Sequence, residues 1–179
     1  MANENLNMAY LELCKTYHAI DDFRGKLLGF LPLASGAGML LLVNDAFVNE
    51  AKRSFALPYA LPIGVFGFIV TLGLFFYELN GIRRCTSLIT EGQRIEKELE
   101  IQGQFLRYPE DVLGVIGPGL ASQVIYSAVL GAWAFVAAVF AFGPAIASIL
   151  AIVLFIVFFV GSRRLPLGKP ELVKYDEPQ

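Results

Sequence analysis

Between Val112 and Ser162 this sequence contains no Asp, Glu, Lys, Arg or His. A helix in a soluble core seldom needs more than ~14 consecutive apolar residues, whereas a hydrocarbon layer roughly 30 Å thick needs about 20 per crossing. The stretch is therefore read as two membrane spans. Leu27–Asn44 and Ser54–Tyr77 are also free of charge and supply one span each. Composition agrees: 56% of the chain is hydrophobic and 17% charged, a balance that soluble domains rarely show.

The long stretch divides at Gly143-Pro144, because Gly suits the position just past a helix end and Pro the first turn of the next helix. The expected spans are Leu27–Val43, Phe55–Tyr77, Gly119–Phe142 and Pro144–Val160. Helix is required in lipid, where backbone N–H and C=O groups have no water to bond, and the alternating pattern of barrel strands does not occur. The expected class is an all-α polytopic membrane protein with four transmembrane helices, arranged as two hairpins with cytoplasmic helical extensions.

Basic residues set the sidedness. Lys15, Arg24 and Lys26 precede the first span, Arg83, Arg84, Arg94, Lys97 and Arg107 lie between the second and third, and Arg163, Arg164, Lys169 and Lys174 follow the fourth. The opposite side has Lys52 and Arg53 alone. The positive-inside rule then puts both termini in the cytoplasm. No cleavable leader is expected, since Glu4, Glu12, Asp21 and Asp22 precede the first apolar block. Cys14 and Cys85 fall in segments assigned to a reducing compartment, which argues against a structural disulfide. The slightly negative net charge, −2, and the lack of a basic patch with interleaved aromatics argue against a nucleic-acid partner.

Five segments result. Residues 1–26 read as a cytoplasmic amphipathic helix, with Leu6, Tyr10, Leu13, Tyr17, Ile20 and Leu27 on one face. Residues 27–77 form the first transmembrane hairpin. Residues 78–111 are a cytoplasmic helix and connection, in which Glu78–Gly103 continues span two as a long helix, straight or kinked, with Ile82, Cys85, Ile89, Ile95 and Leu99 amid the helix-compatible pairs Glu91–Arg94 and Arg94–Glu98. This helix is expected to break at Tyr108-Pro109 and to pack its apolar stripe against that of residues 1–26. Residues 112–162 are the second transmembrane hairpin, approached through Gly114–Gly119. Residues 163–179, with Pro166, Pro170 and Pro178, read as an extended or disordered tail.

Polar groups within the spans are few. Ser35, Thr71, Gln123, Ser127 and Ser148 are uncharged, and such residues commonly hold helices together. Gln123 alone has the reach to line an aqueous path, although one turn into its span it also lies near the headgroup level. Glu78 and Asn80 close the end of span two beside Arg83 and Arg84, and Glu78 is read as a structural partner of Arg83, Arg84 or Lys26. Gln123, Glu78, Asn80, Arg83 and Arg84 are the candidate functional residues. The spacings Gly25-x-x-x-Gly29, Ala34-x-x-x-Gly38 and Ser127-x-x-x-Gly131 mark expected helix contact faces.

Catalysis, cofactors and metals find no support in the residue pattern. His18 has no Cys, Ser or carboxylate at a motif spacing, and Gly114-Val-Ile-Gly-Pro-Gly119 lacks the Lys-Ser/Thr of a phosphate loop. The paired acids Asp21-Asp22 and Glu110-Asp111 fit helix starts better than a metal site.

The stretches Asp21-Asp-Phe-Arg-Gly-Lys-Leu-Leu-Gly-Phe-Leu-Pro32 and Phe75-Phe-Tyr-Glu-Leu-Asn-Gly-Ile-Arg-Arg-Cys85 resemble those of the small uncharacterised four-span membrane proteins found widely in bacteria. The resemblance implies an inner-membrane location and no activity. The expected function is a non-enzymatic, homo-oligomeric pore or scaffold in the bilayer, with a cytoplasmic helical hairpin receiving a signal or a protein partner. One alternative is a small transporter or transporter subunit, hinted at by the similar hairpin endings Phe75-Phe76…Arg83-Arg84 and Phe158-Phe159…Arg163-Arg164. The other is an intramembrane enzyme acting on lipid, for which only Glu78, Asn80 and the paired arginines offer a polar cluster.

Overall fold

A computed structural model describes residues 2–48, 50–107 and 118–164. Every regular element among them is a helix. α1 runs over Ala2–Val48 and α2 over Glu50–Glu98. A third helical run, Pro118–Arg164, is interrupted at Gly143, whose φ of 81° and ψ of 166° leave the helical region. The Gly-Pro pair thus separates α3 (118–142) from α4 (144–164), as the sequence suggests. Positive φ is the conformation in which a Cβ collides with the following carbonyl, so glycine is the residue that makes this corner without strain.

α1 and α2 have 47 and 49 residues. At about 1.5 Å per residue each is roughly 70 Å long, more than twice the hydrocarbon thickness of a bilayer. The amphipathic segment and the first apolar block are therefore one helix, which passes through Pro32 without a break. Three stretches among the described residues are long and apolar enough to cross a membrane: one within Tyr59–Glu98, Gly119–Val139 and Ala141–Arg164. With large apolar side chains such as Phe66, Ile69, Ile149, Ile152 and Val157 exposed around them, they mark a membrane protein.

The described residues divide into two compact units. One is drawn from Met1–Gly25 and Leu79–Gly117, the other from Lys26–Glu78 and Pro118–Pro166. In the second, apolar unit, α2 and α3 run antiparallel. A Cβ added to Gly64 would lie 2.6 Å from the Ala137 nitrogen, and one added to Gly67 would lie 2.4 Å from the Trp133 ring. Further along, the rings of Phe75 and Tyr126 sit 5.7 Å apart. Hydrogen at those two glycines is what lets the α2 backbone meet α3 and the indole directly.

Gly38 of α1 faces the same indole, its added Cβ 3.8 Å from Trp133 Cη2. On the far side of α3, a Cβ at Gly131 would come within 2.9 Å of the Ala151 carbonyl of α4. α3 is accordingly the central helix, 67% of its apolar stretch being buried against 11% for α4. Two of the three expected small-residue faces, those of Gly38 and Gly131, are helix contacts. The Gly25-x-x-x-Gly29 spacing is not, since neither glycine has an atom within 4 Å of an added Cβ.

In the first unit the expected stripe on α1 appears, Leu6, Tyr10, Leu13, Tyr17 and Ile20 all being half-buried. Facing residues Cys85, Ile89 and Ile95 of α2 are buried. Arg24 lies across Gly81, donates from Nη1 to Cys85 Sγ at 3.6 Å, and is 3.8 Å from the Asp21 carboxylate. Glu91 pairs with Arg94 on the exposed side.

α2 ends ten residues before the expected break. The Glu100 nitrogen donates to the Lys97 carbonyl at 3.1 Å and the Ile101 nitrogen to the Glu96 carbonyl at 3.0 Å, with Glu100 at φ 56°. That pair of bonds is a Schellman cap with its left-handed position occupied by glutamate. Glycine usually marks that position, and without it the sequence carries no stop signal before Tyr108-Pro109. That dipeptide, the Gly114 approach to α3, Glu110-Asp111 and the tail beyond Arg164 lie outside the described residues.

Candidate functional site

After the cap, residues 101–107 turn back over the α2 face that packs toward α1. What holds them is Glu96. Its side chain is wholly buried, and a buried carboxylate is tolerated only when its lone pairs are met by donors. Three donors meet them. Tyr10 donates its hydroxyl to Oε1 at 2.7 Å, the Phe105 nitrogen donates to Oε1 at 3.0 Å, and the Leu106 nitrogen donates to Oε2 at 2.7 Å.

Neighbours complete the enclosure. Gln93, also buried, donates Nε2 to the Phe105 carbonyl at 3.1 Å. The Phe105 ring takes edge-to-face contacts from Tyr10 and Tyr17 at centroid distances of 6.1 and 5.5 Å. Gly92 makes room for that ring, because a Cβ there would come within 2.3 Å of it. Gly103 likewise leaves the space through which Tyr10 reaches Glu96. His18 is exposed, with Nε2 3.1 Å from Gln104 Oε1. Burial, followed by the bond to Glu96 and contact with Cys14, raises the Tyr10 hydroxyl pKa well above its ordinary value of 10.0, so the phenol remains a donor through the neutral range.

The chemistry of this assembly is structural. The Glu96 carboxylate, the Tyr10 hydroxyl and the Gln93 amide nitrogen are engaged in fastening a loop, while the buried Gln93 Oε1 has no hydrogen-bond partner, and among the described residues no cluster of His, Cys, Asp and Glu is placed to hold a metal. Sequence reading did not single out Glu96, which in the sequence is one of several acids along a charged helix.

The five sequence candidates separate. Glu78 and Gln123 are both buried in the apolar unit, at 2% and 7% exposure. Asn80, Arg83 and Arg84 are exposed. Successive helical residues advance by about 100°, which carries all three to the side of α2 away from Glu78. The polar cluster that lipid chemistry would need is therefore not assembled on one face of α2. Ser122, Ser127, Thr71 and Ser35 join Glu78 and Gln123 in the interior of the apolar unit.

No protein-family model, curated protein or solved structure matches this chain.

Proposed function

We propose that this protein is a non-enzymatic scaffold of the bacterial inner membrane, crossing it four times with both termini cytoplasmic and associating with copies of itself. The observation that carries this reading is the unit fastened by Glu96. A chain of this size devotes a buried carboxylate, three donors and two crowded glycines to giving its extramembrane helices a fixed surface, which a docking partner needs and a simple pore does not. Exposed Met8 and Leu11 on α1 give that surface apolar contacts for a cytoplasmic partner. The first span is α1 over residues 27–43, and α4, with its largely exposed apolar stretch, offers its face to lipid and to neighbouring copies.

Scaffold is preferred to pore because Phe75, Tyr126, Leu130 and Trp133 fill the interior between α2 and α3. Reconstitution tests the choice. The expected result is one oligomeric species in lipid nanodiscs, no dye or ion flux from liposomes, and labelling of a cysteine at Met8 only from the cytoplasmic face. A monomer at all protein-to-lipid ratios, or labelling from the opposite face, would refute the reading, and dye flux would replace it with a pore.

A second reading, a small transporter or transporter subunit, draws support from the burial of Gln123, which turns inward rather than toward the headgroups. Cation-driven uptake of a solute into proteoliposomes is its test.

A further inference from the structure

Asn80, Arg83 and Arg84 take no part in the helix contacts above, and they share one side of α2. At about 100° per residue, Arg84 lies roughly 40° from Asn80 around the helix, Arg83 roughly 60° the other way, and Ser87 about 20° away. Gly73 and Phe76 fall within roughly 40° of the same line, toward the apolar stretch. Phe76, Asn80, Arg83, Arg84 and Ser87 are all exposed. A Cβ added at Gly73 would meet nothing within 4 Å. One open face of α2 thus passes from apolar surface, through a carboxamide, to two guanidiniums and a hydroxyl.

Nothing within the chain answers those guanidiniums. Residues 79–90 include no Asp or Glu, and among the described residues neither Arg83 nor Arg84 pairs with an acid. Glu91, the next acid along α2, is taken by Arg94. The arginines of α4 differ. Arg163 and Arg164 occupy its last turn, where unbonded carbonyls favour positive charge, and Arg163 lies over the Phe159 ring at 5.5 Å. Arg83 and Arg84 sit roughly four turns short of the end of α2, beyond the reach of that effect.

Their depth suits a phosphate. Arg83 is six residues past Tyr77, the last residue of the charge-free stretch, which places its Cα roughly 9 Å beyond it. Helical side chains tilt toward the helix N-terminus, so on a helix leaving the bilayer they reach back to a headgroup layer roughly 5–7 Å deep. Paired guanidiniums hold a phosphodiester through bidentate bonds, and with no acid beside them they repel the ammonium that a zwitterionic lipid carries next to its phosphate. Asn80 is one turn nearer the hydrocarbon, at the level of glycerol esters, and the open surface at Gly73 leaves room for an acyl chain. We propose that this face of α2 binds one anionic glycerophospholipid, its phosphate on Arg83 and Arg84, its ester region on Asn80 and an acyl chain along Gly73. Glu78 is buried on the opposite side of the helix, so the face holds lipid with no carboxylate at hand to transform it. The site requires only that α2 crosses the bilayer and is independent of the scaffold reading.

Native mass spectrometry of the full-length protein released from detergent micelles counts bound lipid directly. The protein is mixed with phosphatidylglycerol or with phosphatidylcholine of identical acyl chains. One saturable phosphatidylglycerol adduct is expected, with phosphatidylcholine weaker by about tenfold, the worth of charge-assisted bonds to phosphate. Arg83→Gln combined with Arg84→Gln should abolish that preference. Arg83→Lys with Arg84→Lys should keep part of it, because the charge remains while the bidentate geometry is lost. Asn80→Leu should weaken binding several-fold. Arg163→Gln with Arg164→Gln, which removes the same charge elsewhere, should bind as wild type, and glycerol 1-phosphate, a headgroup without chains, should not displace the lipid. Three outcomes overturn the site: equal adducts with the two lipids, an equal loss in the Arg163 and Arg164 variant, which would make the preference a general effect of charge, or displacement by glycerol 1-phosphate, which would make this a site for free phosphate. If the glutamine pair does not fold, the lysine pair and Asn80→Leu decide the matter, and wild-type affinity in both refutes the proposal.

Discussion

Replacing Glu96 by glutamine keeps its shape and removes one acceptor oxygen, which tests the loop fastening. With the amide oxygen at the Oε1 position, Phe105 and Tyr10 keep their bonds, but the new NH₂ faces the Leu106 N–H. Turned over, the oxygen serves Leu106 while the NH₂ faces the Phe105 N–H, and Tyr10 alone adapts by accepting instead of donating. In either orientation one backbone donor is opposed by another donor. Leaving one such group unsatisfied costs about 1–3 kcal/mol. In exchange terms this is roughly a 5- to 150-fold increase in loop opening, since each 1.4 kcal/mol is about tenfold.

The assay is amide hydrogen exchange of the peptide covering residues 99–107, measured with the protein in nanodiscs under conditions where exchange reports the opening equilibrium. Faster exchange should be confined to that peptide and to its contacts on α1 around Tyr10, with the apolar unit unchanged. Combining Glu96→Gln with Tyr10→Phe in a double-mutant cycle should give a non-zero coupling, because the two side chains share one bond. Wild-type exchange of residues 99–107 in Glu96→Gln would refute the claim that this carboxylate holds the loop.

Two further outcomes follow from the backbone and the packing. Glu100→Gly should stabilise the first unit by about 1 kcal/mol, because glutamate at φ 56° bears the left-handed penalty that glycine avoids, and slower exchange just past α2 would register it. Gly67→Ala should lower the thermal midpoint by an amount equivalent to about 1–3 kcal/mol, since its Cβ meets the rigid Trp133 ring. Gly36→Ala, with open space at its Cβ, serves as the comparison, and equal midpoints for the two would show that the contact with Trp133 is not tight.

Sequence reading recovered the helical class, the charge-free stretches, the corner at Gly143 and the apolar stripe of α1, and it failed in instructive places. It carried α2 to Tyr108-Pro109 because the residue in the left-handed cap is Glu100, and a cap made by a non-glycine residue has no compositional mark. It proposed Gly25 and Gly29 as contacts, where an added Cβ meets nothing within 4 Å, and passed over Gly64 and Gly67, which meet Ala137 and Trp133. Spacing identifies small residues on a face without identifying which face meets a neighbour.

Hydropathy is a sum along one helix, and burying an unpaired backbone in lipid is so unfavourable that the sum alone decides where helices must run. That much was settled by the order of residues in the chain. Which side chains meet depends on the rotation and register of each helix against its neighbours, set by contacts between residues far apart, such as Tyr10 and Glu96, 86 positions from one another. Only the tertiary structure singled out Glu96 as the fastening carboxylate among many surface acids, turned Gln123 and Glu78 inward, and left the buried Ser127 hydroxyl without a hydrogen-bond partner.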